Sequence, residues 1–204
     1  MARRVAEALG FAYLDTGAMY RAATWWALDR GIDLDDPDAV AESTEQMPLD
    51  MHEVNGRLEV YVEGRDVTAA IRTPEVTREI HRLDQNPRVR AHLVEQQRRF
   101  GAQGPAVAEG RDIGTVVFPK AKCKVFLTAS LDERTRRRAE QLKASGIPVA
   151  FQQLMSEIAE RDRSNTERKE SPLRQAEDAI VVDTTALTPE ETVQHIVDLA
   201  RERL

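Results

Sequence analysis

Cysteine is almost missing from this chain: Cys123 is the single one in 204 residues. An internal disulfide is excluded, and with it the class of small disulfide-stapled scaffolds. Cys123 lies in "KCKVFL", a strand-like run in which a thiol reads as packing and not as a nucleophile. No His/Cys spacing suits a zinc ion held by the protein. No apolar run approaches the roughly 18–20 residues that a membrane helix needs. The opening Met-Ala-Arg-Arg leads into an amphipathic pattern, which is not the apolar block of a signal peptide. Aromatic residues are sparse, at 5%, against 31% charged residues, a balance that suits a helix-rich chain. A basic excess is also lacking, because the net charge is −6, and bulk nucleic-acid binding wants a basic face. The expectation is a cytoplasmic monomer with neither membrane nor nucleic acid as a partner.

What is present is alternation. Helical and strand-like patterns follow one another, which predicts an α/β fold, a parallel sheet with helices on both faces. Gly10 closes a first helix carrying Val5, Ala6 and Leu9, and Ala12 to Leu14 reads as a short strand. Ala18 to Arg30 reads as a helix with Met19, Ala23, Trp26 and Ala27 inward, both tryptophans serving packing. The stretch from Leu49 to Thr68 breaks the alternation. Apolar positions alternate on either side of Asn55-Gly56, the signal of a hairpin with a type I′ turn, so a small antiparallel insert is expected. Helix resumes at Thr73 and breaks at Asn86-Pro87. Ala106 to Ala108 reads as a buried strand, followed by "KVFLTAS", two helices, the strand "AIVVDTT", and a last helix begun by Thr188 and Pro189. No repeat or linker interrupts the chain, so residues 1–204 are expected to form one domain.

Ligands of parallel sheets bind beyond the C-terminal ends of the strands. Three polar clusters fall at such ends: Asp15-Thr16-Gly17 with Tyr20-Arg21, Glu109-Gly110-Arg111-Asp112, and Asp183-Thr184-Thr185. The second can also be a polar turn with an internal arginine–carboxylate pair, and Arg21 an anion ligand or a solvated residue. Arg161, Asn165 and Arg168 share a face if their helix continues, as do Arg134, Arg137 and Arg138. Either run alone can be a solvated face. Together, arginines collected at strand ends and on helix faces of an acidic chain point to a clamp on a small polyanion.

The stretches "YLDTGAMYR", "GRLEVYVEGRDVTAAIRTPEV", "AEGRDIGTVVFP" and "ERDRSNTERKESPL", in this order, resemble the bacterial cytidylate kinases over essentially the whole chain. "GRDIGTVVFP" joined to a hairpin insert is specific, because related nucleoside monophosphate kinases lack the combination. The resemblance implies a nucleoside monophosphate kinase-like P-loop NTPase fold with a CMP-binding insert at about residues 43–85. It implies transfer of the γ-phosphate of ATP, with Mg²⁺, to CMP or dCMP, giving CDP or dCDP and ADP. By motif position, Arg21 and Arg111 look like ligands of the CMP phosphate, with Thr16 beside it. Arg90 and Asp112 look like readers of the cytosine edge. Arg161 and Arg168 resemble arginines that close on the phosphates, and Arg134, Arg137 and Arg138 resemble a lid over ATP. Asn165 falls where the family contacts the sugar. Glu109 is placed to orient waters around Mg²⁺, or is an ordinary strand-end carboxylate.

Three departures accompany the resemblance. His81 stands where the family has a serine facing the base, and Asn165 replaces an aspartate. The third is larger: no Gly-x-x-x-x-Gly-Lys-Ser/Thr string occurs in the 204 residues, and Met1–Val5 align with the helix that follows that loop in the family. The expectation is a misassigned start or a fragment. The alternative is a non-catalytic CMP-binding protein, or an inactive fragment, because the P-loop is absent from this chain.

Overall fold

The computed structural model describes residues 1–54, 57–144 and 146–204, in two compact units: Ala2–Gly110, and Arg111–Leu204 with Met1. The expected insert lies within the first unit.

In the first unit, helix α1 (Ala2–Leu9) ends as the sequence predicts. Gly10 takes φ +68°, its N–H donates to Glu7 and that of Phe11 to Ala6, so a left-handed residue satisfies the free carbonyls of the last turn. Strand β1 (Ala12–Asp15) follows and pairs in parallel with β5 (Ala106–Glu109), matching Ala12 with Ala106 and Asp15 with Glu109. Helix α1 packs on both strands. Strand β5 is half-buried and not buried as expected, and β1 is its one ladder neighbour among the described residues.

Helix α2 (Thr16–Asp29) starts two residues before the expected Ala18, because Asp15 is its N-cap. Met19, Ala23, Trp26 and Ala27 are buried as predicted. Helix α3 (Pro37–Glu45) has no counterpart in the sequence reading, although Asp36 caps it and Pro37 opens it, a pair that marks a helix start. Strands β2 (Leu49–Val54), β3 (Arg57–Val62) and β4 (Arg65–Asp66) form the antiparallel sheet. The expected Asn55-Gly56 turn lies outside the described residues, but the register pairing Val54 with Arg57 and Leu49 with Val62 is that of the predicted hairpin. Leu58, Val60 and Val62 face inward, the alternation the sequence shows.

The insert is fastened to the end of α2. Arg30 stacks 3.7 Å from the Trp26 ring centre and reaches Glu63, while Arg65 stands over Trp25 and pairs with Asp29 at 2.6 Å. Both tryptophans therefore pack, as expected. Helices α4 (Pro74–Leu83) and α5 (Pro87–Gly101) follow, α4 lying against α2. The break at Asn86-Pro87 is real. Asn86 accepts from the N–H groups of Arg88 and Val89 and donates to the Pro37 carbonyl at 2.7 Å, tying the α5 start to α3.

In the second unit, a π-type turn (Ile113–Val117) leads to β6 (Val125–Thr128), helices α6 (Leu131–Ala144) and α7 (Phe151–Glu167), strand β7 (Ile180–Asp183) and helix α8 (Pro189–Arg201). Strands β6 and β7 are parallel, and α6 packs on α7. The predicted parallel pairing is thus present, as two separate strand pairs among the described residues and not as one ladder. No helix among the described residues is long and apolar enough to cross a membrane.

Thr188 and Glu191 form a full capping box at the start of α8. Thr188→Ala should therefore lower stability by about 1 kcal/mol, read as a fall in the urea midpoint, with Thr188→Ser close to the parent.

Candidate functional site

The strand ends of the first unit carry a connected polar cluster. One carboxylate oxygen of Asp15 accepts the N–H of Ala18 at 2.9 Å, and the other holds Nη2 of Arg21 at 2.9 Å. Arg21 sits in the second turn of α2, so the residue that starts the helix also aims the arginine. Gly17 is needed between them: a Cβ there would lie 3.1 Å from Nη1 of Arg21 and 3.2 Å from Oδ1 of Asp15. The Nε of Arg21 is buried with no hydrogen-bond partner among the described residues. The buried Thr16 hydroxyl donates to the Glu109 carbonyl at 2.8 Å, and the Tyr13 hydroxyl donates to the Glu109 carboxylate. Burial and the Glu109 carboxylate both push the Tyr13 phenol well above its ordinary range.

A second group forms where α4 meets α5. Arg90 is a charged residue only 5% exposed. Its Nη1 donates to the Asp84 carbonyl at 2.8 Å, and its guanidinium lies 5.5 Å from the Tyr20 ring centre. His81, in the last turn of α4, is exposed, with Nδ1 2.7 Å from the carbonyl oxygen of Arg78. Tyr20 links the two groups, since it belongs to the same helix as Arg21.

The second unit holds the remaining candidates. Arg111 is half-buried and Asp112 is buried at the start of the π-type turn, where its carbonyl accepts the N–H of Val116 at 2.8 Å. Gly114 lies close to Lys124, whose ammonium is held by both carboxylate oxygens of Asp178. The three residues of the proposed stripe on α7 lie at its C-terminal end. The helix ends at Glu167, and Arg168 is its C-cap with extended backbone, φ −59° and ψ 145°. Arg161 and Asn165 are one turn apart, and Arg168 closes the last turn through its N–H to the Ser164 carbonyl, with its Nε donating to the Ser171 carbonyl. Asn165 is buried, and its amide donates to the Arg161 carbonyl, a bond that an aspartate could not make.

The α6 arginines also diverge. Arg134 donates to the Ala129 carbonyl and pairs with Asp162 of α7. Arg137 binds Glu133, the Thr184 hydroxyl and carbonyl, and the Leu187 carbonyl. Arg138 reaches along its own helix to Gln141. The cluster Asp183-Thr184-Thr185 is satisfied internally, with the Asp183 carboxylate accepting both the N–H and the hydroxyl of Thr185. Those bonds hold the Asp183 carboxyl below its usual range.

Parallel strands whose C-terminal ends gather a helix-capping aspartate, an arginine and a threonine suit an anionic ligand. Residues 1–202 match the family model described as cytidylate kinase. The chain belongs to the cytidylate kinase family. Its parallel strand pairs with flanking helices and small antiparallel sheet agree with the nucleoside monophosphate kinase-like fold. It is 43% identical over 204 residues to a cytidylate kinase of Anoxybacillus flavithermus, covering 100% of this chain and 91% of that protein. It is 49% identical over 206 residues to a bifunctional pantoate ligase/cytidylate kinase of Synechococcus elongatus, covering 98% of this chain and 39% of that protein. A bifunctional protein of the same description from a Nostoc species is 45% identical over 208 residues, again with 39% of its length covered. The chain thus spans about two-fifths of the length of the bifunctional relatives.

Against this family, the sequence reading missed Tyr13, Glu133 and Asp162, which hold or balance the named residues. Tyr13 had a signal: it lies two residues before Asp15 and so on the same face of β1. Glu133 had one too, at i+4 from Arg137. Asp162 had none, because its partner lies on another helix. Among the described residues no group of three or more His, Cys, Asp or Glu is placed to hold a metal ion.

Arg136 and Arg137 hold the Glu133 carboxyl down from 4.5 to about 2. A depressed carboxyl stabilises the fold above its ordinary value and loses that contribution as the pH falls. Between pH 4.5 and about 2 the parent should therefore lose more stability than Glu133→Gln. Urea midpoints at the two ends of that range measure the difference.

Proposed function

We propose that the chain transfers the γ-phosphate of ATP, taken as its Mg²⁺ complex, to CMP or dCMP, releasing ADP and CDP or dCDP. The observation that carries this reading is Arg21, oriented by Asp15 at the strand ends with a buried Nε that lacks a partner among the described residues, in a chain of the cytidylate kinase family. A buried donor of this kind is completed by an anion.

The acceptor is a phosphate oxygen that is already ionised, so no strong general base is needed. Catalysis is then positioning plus neutralisation of spreading charge, and arginines supply both. In this reading Arg21 and Arg111 hold the CMP phosphate, with the Thr16 hydroxyl beside it. Arg90, Asp112 and His81 read the base, and Asn165 meets the sugar. Arg161 and Arg168 act on the transferring phosphate. Arg134 and Arg138 contact ATP as part of a lid, while Arg137 steadies that lid by gripping the turn from Thr184 to Leu187. Mg²⁺ arrives with ATP, and the Glu109 carboxylate, steadied by Tyr13, orients its waters. The insert at about 43–85 serves as the CMP-binding subdomain of a cytoplasmic monomer.

Titration calorimetry with CMP, dCMP and AMP, followed by ADP release from MgATP, tests the reading. CMP and dCMP should bind more tightly than AMP, and ADP release should require CMP. Binding of AMP as tight as that of CMP, or ADP release without CMP, overturns it. Arg21→Ala and Arg111→Ala should each weaken CMP binding roughly 10–100-fold, the loss of a charge-assisted bond. A change within about threefold, well under 1 kcal/mol, removes that arginine from the site.

A further inference from the structure

Lysine side chains are seldom covered unless they are paired, and Lys124 is covered. It stands just ahead of β6 with its side chain 7% exposed, whereas that of its partner Asp178 is 64% exposed. Its Nζ donates to the two carboxylate oxygens of Asp178 at 2.8 and 2.7 Å and to the Pro119 carbonyl. An ammonium has three donors, so all three are taken. The same bonds hold the Asp178 carboxyl below its usual range. An ion pair with one partner in water contributes little to stability. What this pair does is fix where the methylene stem of the lysine lies.

The stem lies against the turn that follows Arg111 and Asp112. A Cβ on Gly114 would stand 3.3 Å from Cδ of Lys124 and 3.6 Å from Cβ of Ala176, so the backbone there rests directly on the lysine. The π-type turn (Ile113–Val117) is a single turn of a rare helix, and contacts from its neighbours must hold it. Its bonds begin at the Asp112 carbonyl, which accepts the N–H groups of Val116 at 2.8 Å and Val117 at 3.3 Å. The chain leaves the turn through Phe118 and reaches Pro119, whose carbonyl Lys124 holds. One side chain therefore meets this segment near its start and at its exit. The Lys124 carbonyl accepts the N–H of Ile180 at 2.9 Å, and Asp178 lies two residues before β7, so the brace is anchored in the β6–β7 pair.

We propose that Lys124 is a positioning residue: by bracing the segment from Gly114 to Pro119 it sets the direction in which Arg111 presents its guanidinium. The proposal rests on the reading of Arg111 as a ligand of the CMP phosphate. The Asp112 carbonyl can start the turn only while its peptide unit keeps its orientation, and Arg111 is the next residue back. A guanidinium grips a phosphate through two parallel bonds only within a narrow range of directions, so a small backbone rotation weakens the grip. Lys124, its three donors already taken, acts through Arg111 and not on the nucleotide.

A double-mutant cycle on the 204-residue chain tests this, with CMP affinity read by titration calorimetry. Lys124→Met keeps the stem and removes the ammonium. It should weaken CMP binding about tenfold in the parent and by less than about threefold in the Arg111→Ala background, where the group it positions is gone. Asp178→Ala, made at the exposed partner, should show the same dependence on Arg111 and keeps the test decisive if Lys124→Met does not fold. Urea midpoints establish that each variant is folded under the conditions of the titration. A general structural role would weaken CMP binding by the same factor in both backgrounds, and that result overturns the proposal. So does CMP binding within about threefold of the parent in both the Lys124 and the Asp178 variants. If Arg111→Ala alone binds CMP as the parent does, the reading of Arg111 falls first and the role of Lys124 falls with it.

Discussion

The two oxygens of the Asp15 carboxylate do different jobs, and the strand-end cluster depends on their being one group. The first ends the helix's shortage of acceptors at Ala18, which fixes where α2 begins. The second fixes where Arg21 points. A cap and a counterion supplied by separate residues could drift apart, whereas here the helix phase and the direction of the cation are set together. The β1–β5 register does the rest. Matching Asp15 with Glu109 brings the Thr16 hydroxyl onto the Glu109 carbonyl, so the end of one strand is tied to the start of the helix that follows the other.

The same economy explains how an acidic chain carries so many inward arginines. Guanidinium groups taken partly out of water need fixed partners, or the lost hydration destabilises the fold. Arg21, Arg134 and Arg137 each have a carboxylate within hydrogen-bonding reach. Each pairing supplies a fixed counter-charge where water is partly removed. Exposed pairs such as Arg136 with Glu140 contribute little by comparison.

Much of this was legible in the chain, and the legible parts share a cause. Gly10, Asn86-Pro87, Thr188-Pro189 and the alternation in β3 are local signals, in which a residue and its neighbours along the chain set the backbone. Gly146 belongs with them, closing α6 through the N–H of Ile147. The early start of α2 and the whole of α3 were overlooked although their caps, Asp15 and Asp36, are equally local. The errors of principle lie elsewhere. A stripe at Arg161, Asn165 and Arg168 needs the helix to reach Arg168, and spacing cannot tell that it ends there, with Arg168 as its C-cap. Likewise, three arginines close together on α6 look equivalent in sequence. They differ because their partners, Asp162, Thr184 and Gln141, come from different distances along the chain.

The paired tryptophan–arginine fastening at the end of α2 has a mechanical consequence. Helix α2 has 14 residues and is therefore a rod about 21 Å long. Arg21, oriented by Asp15, stands in its second turn, and Asp29 and Arg30 at the other end grip Arg65 and Glu63 of the antiparallel sheet. Stacking on two rigid ring systems resists both sliding and rotation at that grip. The antiparallel sheet and the arginine that Asp15 orients are thus joined through a single stiff member, so the position of one constrains the other.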